Sequence, residues 1–151
     1  MRLTDDMLTL LLLLHVGATL LMVGVIWTIQ IVHYPLFSAV GVDGFAAYQA
    51  AHTRRISYIV MPLMLIELAT AALFVIAPPL PVAPWLLWGG LGLVVPIWLS
   101  TFALQVPQHH TLSGGFDVRA HRLLVGTNWL RTIAWSLRGL LALWLIWRAI
   151  V

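Results

Sequence analysis

The chain has 151 residues, of which 62% are hydrophobic and only 9% charged, and its mean hydropathy is +0.99. A soluble domain carries about 25% charged residues, so most of this surface must face something other than water. The eight basic residues, all arginine, outweigh five acids to give a net charge of +3; they are scattered, with no basic stripe, which argues against nucleic acid as a partner. Cysteine is absent, which excludes disulfides, thiolate metal sites and cysteine nucleophiles.

Four apolar runs succeed one another along the chain, each at least as long as the roughly 20 residues needed to cross hydrocarbon as a helix. The first spans residues 7–37, with no formal charge between Asp6 and Asp43. It is too long for a cleavable signal and no A-x-A site comes after it. After Gly41, Asp43 is the expected N-cap of a helix running through Tyr48 and His52 into the second span, residues 56–76, which Glu67 interrupts. A stiff turn, Pro78 to Pro84 with four prolines, leads into the third span, residues 85–106. Ser113, Gly114 and Gly115 break the chain before Asp117, and the fourth span, residues 123–150, carries Arg131 and Arg138 inside it. The predicted fold class is an all-α, four-helix transmembrane bundle forming one unit over residues 1–151.

A faint repeat divides the chain into two helical hairpins. Pro35 and Pro107 end spans one and three at an offset of 72, Gly44-Phe45 and Gly115-Phe116 recur at 71, and 71 also maps Glu67 onto Arg138. Both longer connections lie on one side, with Arg54, Arg55, Arg119 and Arg122. The other side holds Arg2 and Arg148, offset by Asp5 and Asp6. The positive-inside rule then places the arginine-rich loops in the cytoplasm and both termini outside, as in a bacterial inner membrane protein.

Charges at membrane depth normally face the bundle interior and find partners. Glu67 and Arg138 lie at matching depths past His52 and His121, so Glu67 is expected to pair with Arg138 or Arg131, in a contact that orients helices. Five of the six histidines fall at the loop face. His33 ends span one, His52 heads span two, His109 and His110 end span three and His121 heads span four. Imidazoles brought together in a bundle suit iron, copper or zinc, or a haem, so His33, His52, His109 and His121 are the candidate ligands. Interfacial contact with headgroups is the plainer reading of the same histidines. Adjacent His109 and His110 point about 100° apart, so one of them faces inward. On span four His121, Asn128, Arg131, Trp135 and Arg138 share a face, and on span three Thr101, Gln105 and His109 do. Most of the eight tryptophans read as interfacial belt. Trp129 and Trp135 flank Arg131 and are candidates to line a cofactor or substrate site with a cation–π contact.

The second half of the chain carries a resemblance. Pro96, then Gln105 to Leu112 (QVPQHHTL), a glycine turn, and Leu123 to Leu141 (LLVGTNWLRTIAWSLRGLL) resemble the anthrone oxygenase-like family of small four-helix membrane proteins. That family tends to end its third helix in Pro-x-Asn-x-x-Leu and to carry Trp/Asn-x-x-Arg in its fourth. Pro107, Leu112, Asn128 and Arg131 match, His109 or His110 stands where asparagine is usual, and in the first half Pro35 alone matches. The resemblance implies oxygenation of an activated aromatic carbon acid to a quinone. Arg131 and Asn128 would then stabilise an enolate oxygen, with a histidine such as His109 or His121 removing the proton.

The leading functional expectation is a membrane oxidoreductase or oxygenase, acting on a lipophilic small molecule at the loop-face cluster. Two alternatives use the same residues: a non-enzymatic accessory subunit of a membrane complex, and a small transporter or proton-conducting bundle built on Glu67, Arg131 and Arg138. Membrane lipids are the common partner. Gly89, Gly90 and Gly92 are candidates for close contact between helices, including those of a homo-oligomer.

Overall fold

The computed structural model describes residues 4–151, so Arg2 and its place in the charge balance lie outside the described residues. Four helices, each long and apolar enough to cross a membrane, make up the fold: α1 (Asp5–Ala39), α2 (Val42–Ile76), α3 (Pro84–Ser113) and α4 (Val118–Ile150). The shortest has 30 residues, about 45 Å at 1.5 Å per residue, so the helices outreach a hydrocarbon core of about 30 Å. α2 and α4 accordingly begin at Val42 and Val118, ahead of the apolar runs that start at residues 56 and 123.

The helix starts reflect local chemistry. Thr4 caps α1, its hydroxyl accepting from the Met7 N–H at 3.3 Å, and Asp5 and Asp6 occupy the positive first turn. Asp117 caps α4, accepting from the Ala120 N–H at 2.7 Å. Asp43, expected to cap α2, does not. Val42 is already helical, Gly41 is the capping residue, and Asp43 sits in the first turn, where its charge favours the helix dipole without a capping bond. Gly115, before α4, has φ of 138°, a conformation that only glycine takes without strain.

The helices form a square in which α1 and α3 each pack against both α2 and α4. Three apolar layers fill it. Phe37, Phe45, Leu112 and Leu124 pack at the loop face, Met22, Ile26, Met64 and Trp135 at mid-depth, and Leu12, Phe74, Leu87 and Leu145 toward the termini. Leucines such as Leu21, Leu130 and Leu140 remain exposed around the outside, as a lipid-facing surface requires. Of the three clustered glycines, Gly90 makes the close approach: a Cβ there would meet Leu141 of α4 at 3.0 Å, while Gly89 and Gly92 face open space.

Two π-helical turns, at Ile29–His33 in α1 and Thr101–Gln105 in α3, interrupt the α-helical ladder at the repeat offset of 72 residues. In the first, the Tyr34 N–H donates to the Ile29 carbonyl at 2.9 Å; in the second, the Val106 N–H donates to the Thr101 carbonyl. Each bond immediately precedes a proline, Pro35 or Pro107. Proline has no N–H to continue the ladder, and the extra residue of a π-turn absorbs the break. Each inserted residue also rotates the downstream part of its helix by about 100° relative to a continuous ladder. The part of the bundle richest in polar side chains begins at these two turns.

A candidate lipophilic-substrate site beside Arg131

A cavity of ≈ 350 Å³ opens between α2 and α3. Ile56, Val60, Met61 and Phe102 supply apolar wall, and Tyr34, Gln105, His109 and Arg131 supply polar lining. Phe102 and Met61 are exposed, whereas Tyr34, Gln105 and Arg131 are buried. The mouth therefore opens past Met61 and Phe102 on the apolar outer surface, with exposed His110 and Ser113 on its loop side, and the buried polar end lies inside. Most binding sites for small lipophiles share this plan of apolar walls with a few convergent polar groups.

Arg131 is 5% exposed and its Nε is buried without a hydrogen-bond partner. Its guanidinium stacks over the Trp135 ring, 5.1 Å from the centroid, and stands beside the Tyr34 hydroxyl. Residues 131 and 135 are one turn apart on the same face, which brings this pair together. Trp129, two positions earlier, points to the opposite side. It is 40% exposed, packs edge-on against Trp27 at 5.7 Å, and does not line the site as expected.

Behind Tyr34 stands a chain of polar contacts. The Tyr34 hydroxyl and His109 Nε2 are 2.9 Å apart. The Gln49 amide nitrogen lies 2.7 Å from His109 Nδ1 and 3.4 Å from the His109 carbonyl. The carbonyl can only accept, which puts the amide nitrogen of Gln49 on this side; with that orientation Nδ1 accepts, Nε2 carries the ring proton, and the imidazole donates to the Tyr34 oxygen. The Tyr34 hydroxyl proton is left free to point into the cavity. His110 is exposed, so His109 is the inward member of the adjacent pair.

The four expected metal ligands take other partners. His33 Nε2 and His52 Nδ1 are 2.8 Å apart and share a hydrogen bond, so they cannot both aim lone pairs at one ion. His52 Nε2 is buried without a partner. Both nitrogens of His109 are engaged, as above. His121 Nε2 donates to the Tyr34 carbonyl at 2.7 Å, which anchors the start of the Pro35 turn to α4. Among the described residues, no three His, Asp or Glu side chains stand where they could hold one ion. The donor set does not fit the expected metal centre. His33 and His52 border a neighbouring hollow of ≈ 500 Å³ between α1 and α2, which shares Ile29 and Ile56 with the first.

Asn128, expected to orient substrate, is fully buried outside the cavity. Its amide donates to Gln30 Oε1 at 2.9 Å, and Gln30 Nε2 donates to the Val125 carbonyl at 3.2 Å. Together they clamp the π-turn of α1 onto α4. Gln105, in the π-turn of α3, donates to the Thr127 hydroxyl at 2.8 Å and leaves its Oε1 buried without a partner.

Deeper in the bundle Glu67 pairs with Arg138: Arg138 Nε donates to Glu67 Oε1 at 3.2 Å, and both side chains are nearly inaccessible. Trp135 Nε1 donates to Glu67 Oε2 at 2.8 Å, and Arg138 also donates to the Gly90 carbonyl. Nearer the termini, Thr70 donates to the Ile66 carbonyl at 2.6 Å. Its one proton is thereby used, so His15 Nδ1 is the donor across their 2.7 Å contact.

Sequence reasoning missed Tyr34, Gln30 and Gln49, and placed Gln105 on the His109 face without giving it a role. All four are uncharged, and the available signal was polar side chains inside or bordering apolar runs: Gln30 five residues before Pro35, Gln105 two before Pro107, and Gln49 one turn before His52.

The fold and this cavity define a four-helix transmembrane bundle with a lipid-facing pocket that ends on a buried guanidinium. Comparison with known families, curated proteins and solved structures found no match to any of them.

Proposed function

We propose that this chain is an integral membrane enzyme, an oxygenase-type oxidoreductase that draws a lipophilic substrate from the bilayer into the cavity between α2 and α3. The observation that carries the reading is Arg131 at the buried end of an apolar pocket, with the Tyr34 hydroxyl beside it. Preorganised donors aimed at one point stabilise an oxygen on which negative charge develops, and their effect is largest where water is excluded. Arg131 and the Tyr34 O–H would hold such an oxygen, and the Gln49–His109 pair would fix the phenol. Dioxygen would then attack the adjacent activated carbon. Overall, a CH₂ group and O₂ become a carbonyl and one water: two C–H bonds and the O–O bond break, and the C=O bond and two O–H bonds form, with both carbon hydrogens ending in the water.

The chemistry of the residues, together with the resemblance to anthrone oxygenase-like proteins, supports this reading over transport. Glu67 and Arg138 neutralise one another in a contact that accounts for their burial. Arg54 and Arg55 in the loop-side part of α2, and Arg119 and Arg122 at the start of α4, favour a cytoplasmic loop face, and a bacterial inner membrane is the proposed location. The test is oxygen uptake by the detergent-purified protein, supplied with anthrone-type polycyclic ketones. Uptake should match quinone formation mole for mole, and Tyr34→Phe and Arg131→Gln should slow it at least about 100-fold, the loss seen when an oxyanion donor is removed, with helicity unchanged. No uptake with any such ketone, or wild-type rates in both variants, would sink the proposal.

A further inference from the structure

We infer that the molecule this cavity accepts is a lipophilic monoanion, an acid already ionised when it enters, whose negative oxygen lies against Arg131. The inference rests on the reading of the cavity as the active site and narrows its substrate class.

Charge balance is the first support. Glu67 is committed to Arg138, and Asp117 caps α4 at the loop face. Arg131 therefore has no carboxylate partner among the described residues, although it is only 5% exposed. Guanidinium does not lose its proton in proteins, so the cation persists. In a low-dielectric setting a charge of opposite sign is the partner that compensates it best. The neighbouring Trp135 face and Tyr34 hydroxyl are dipolar and leave the unit charge unbalanced. Its Nε remains without an acceptor.

The second support is the lack of a free base at the buried end of the cavity, where Arg131 lies; His110, the other lining histidine, is exposed. A neutral carbon or oxygen acid would need a lone pair there to take its proton. His109 accepts from Gln49 at Nδ1 and presents its Nε2 proton to Tyr34. His121 donates to a backbone carbonyl and does not line the cavity. His33 and His52 open into the other hollow. An acid that loses its proton at the membrane–water interface before entry needs none of them. Its apolar body would lie along Val60, Met61 and Met64, and the exposed Phe102 and Val106 mark the lipid-side entrance.

The experiment is an NMR titration of the purified protein in non-ionic detergent with laurate labelled with ¹³C at the carboxylate, alongside methyl laurate and dodecyltrimethylammonium. Laurate should occupy one saturable site, with the ester and the cation at least tenfold weaker. Arg131→Gln should weaken laurate at least tenfold and remove the preference over the ester, whereas Arg131→Lys should retain part of it. An ester that binds as tightly as laurate to the wild-type protein would overturn the inference, with no need of a variant. So would a folded Arg131→Gln protein that keeps the preference. Polycyclic ketones that drive oxygen uptake while laurate does not bind would overturn the anion and leave the enzyme standing. Selective laurate binding with no oxygen uptake would do the reverse.

Discussion

Arg131 and Arg138 lie two helical turns apart on the same face of α4, and they should respond to methionine substitution with opposite signs. Arg138→Met leaves Glu67 buried with its charge unbalanced and Trp135 as its remaining donor. Breaking a buried pair from one side costs about 3–5 kcal/mol. Arg131→Met removes a cation that has no carboxylate. Its burial near the middle of a spanning helix costs about 2.5–3.5 kcal/mol on insertion scales. The stacking over Trp135 returns up to about 2 kcal/mol when desolvated, so removal should stabilise the fold by about 0.5–1.5 kcal/mol. Methionine fills much of the space of the arginine stem, which limits the cavity contribution. Reversible unfolding by SDS titration in mild detergent, monitored by tryptophan fluorescence and circular dichroism, would read both changes. A loss of more than about 2 kcal/mol in Arg131→Met, comparable to that in Arg138→Met, would refute the reasoning, because it would make Arg131 a structural residue with a partner. A gain in stability joined to loss of ligand binding is the signature of a residue kept for function.

Packing and the π-turns each set a further expectation. A Cβ at Gly139 would lie 2.9 Å from Val23 Cγ2, on a β-branched side chain with little room to rotate, so Gly139→Val should cost about 1–3 kcal/mol by overpacking; an unchanged unfolding midpoint would show that α1 and α4 adjust freely. Pro107→Ala restores an N–H to α3 and lets the ladder heal toward a regular α-helix. That change should stabilise the fold by up to about 3 kcal/mol, the usual cost of an interior proline, while turning His109 away from Tyr34 and lowering ligand affinity at least tenfold in the laurate titration. If both quantities stay at wild-type values, the π-turn does not set the register of the site.

The four spans were legible because length and hydropathy alone define them, and depth matching past His52 and His121 located the level at which Glu67 meets Arg138. The choice between Arg138 and Arg131 was not legible, since both arginines share a face of α4 and their difference lies in what α2 presents at each level. The cavity was hidden for a related reason. Helical periodicity carried through Ile29–His33 and Thr101–Gln105 assumes a continuous ladder, and the two π-turns break it. Counting histidines also favoured His121, and the family resemblance favoured Asn128; these hold Tyr34 and the α1 π-turn in place. Counting passed over Tyr34, whose role depends on the backbone turn at Pro35. The prolines themselves were visible at the correct offset. Their consequence for hydrogen-bond register was not.

If substrate acts inside the cavity between α2 and α3, a side chain that fills that space should exclude it. Ser57 lines the cavity, whereas its neighbour Tyr58 is 73% exposed and lies outside the lining. Oxygen uptake and laurate binding would be measured for Ser57→Trp and, as the control, Tyr58→Trp. Ser57→Trp should lower both at least tenfold while Tyr58→Trp matches the wild-type protein. Equal activity and equal binding in the two folded variants would contradict that expectation, because the cavity would then be packing space rather than the place where substrate is held.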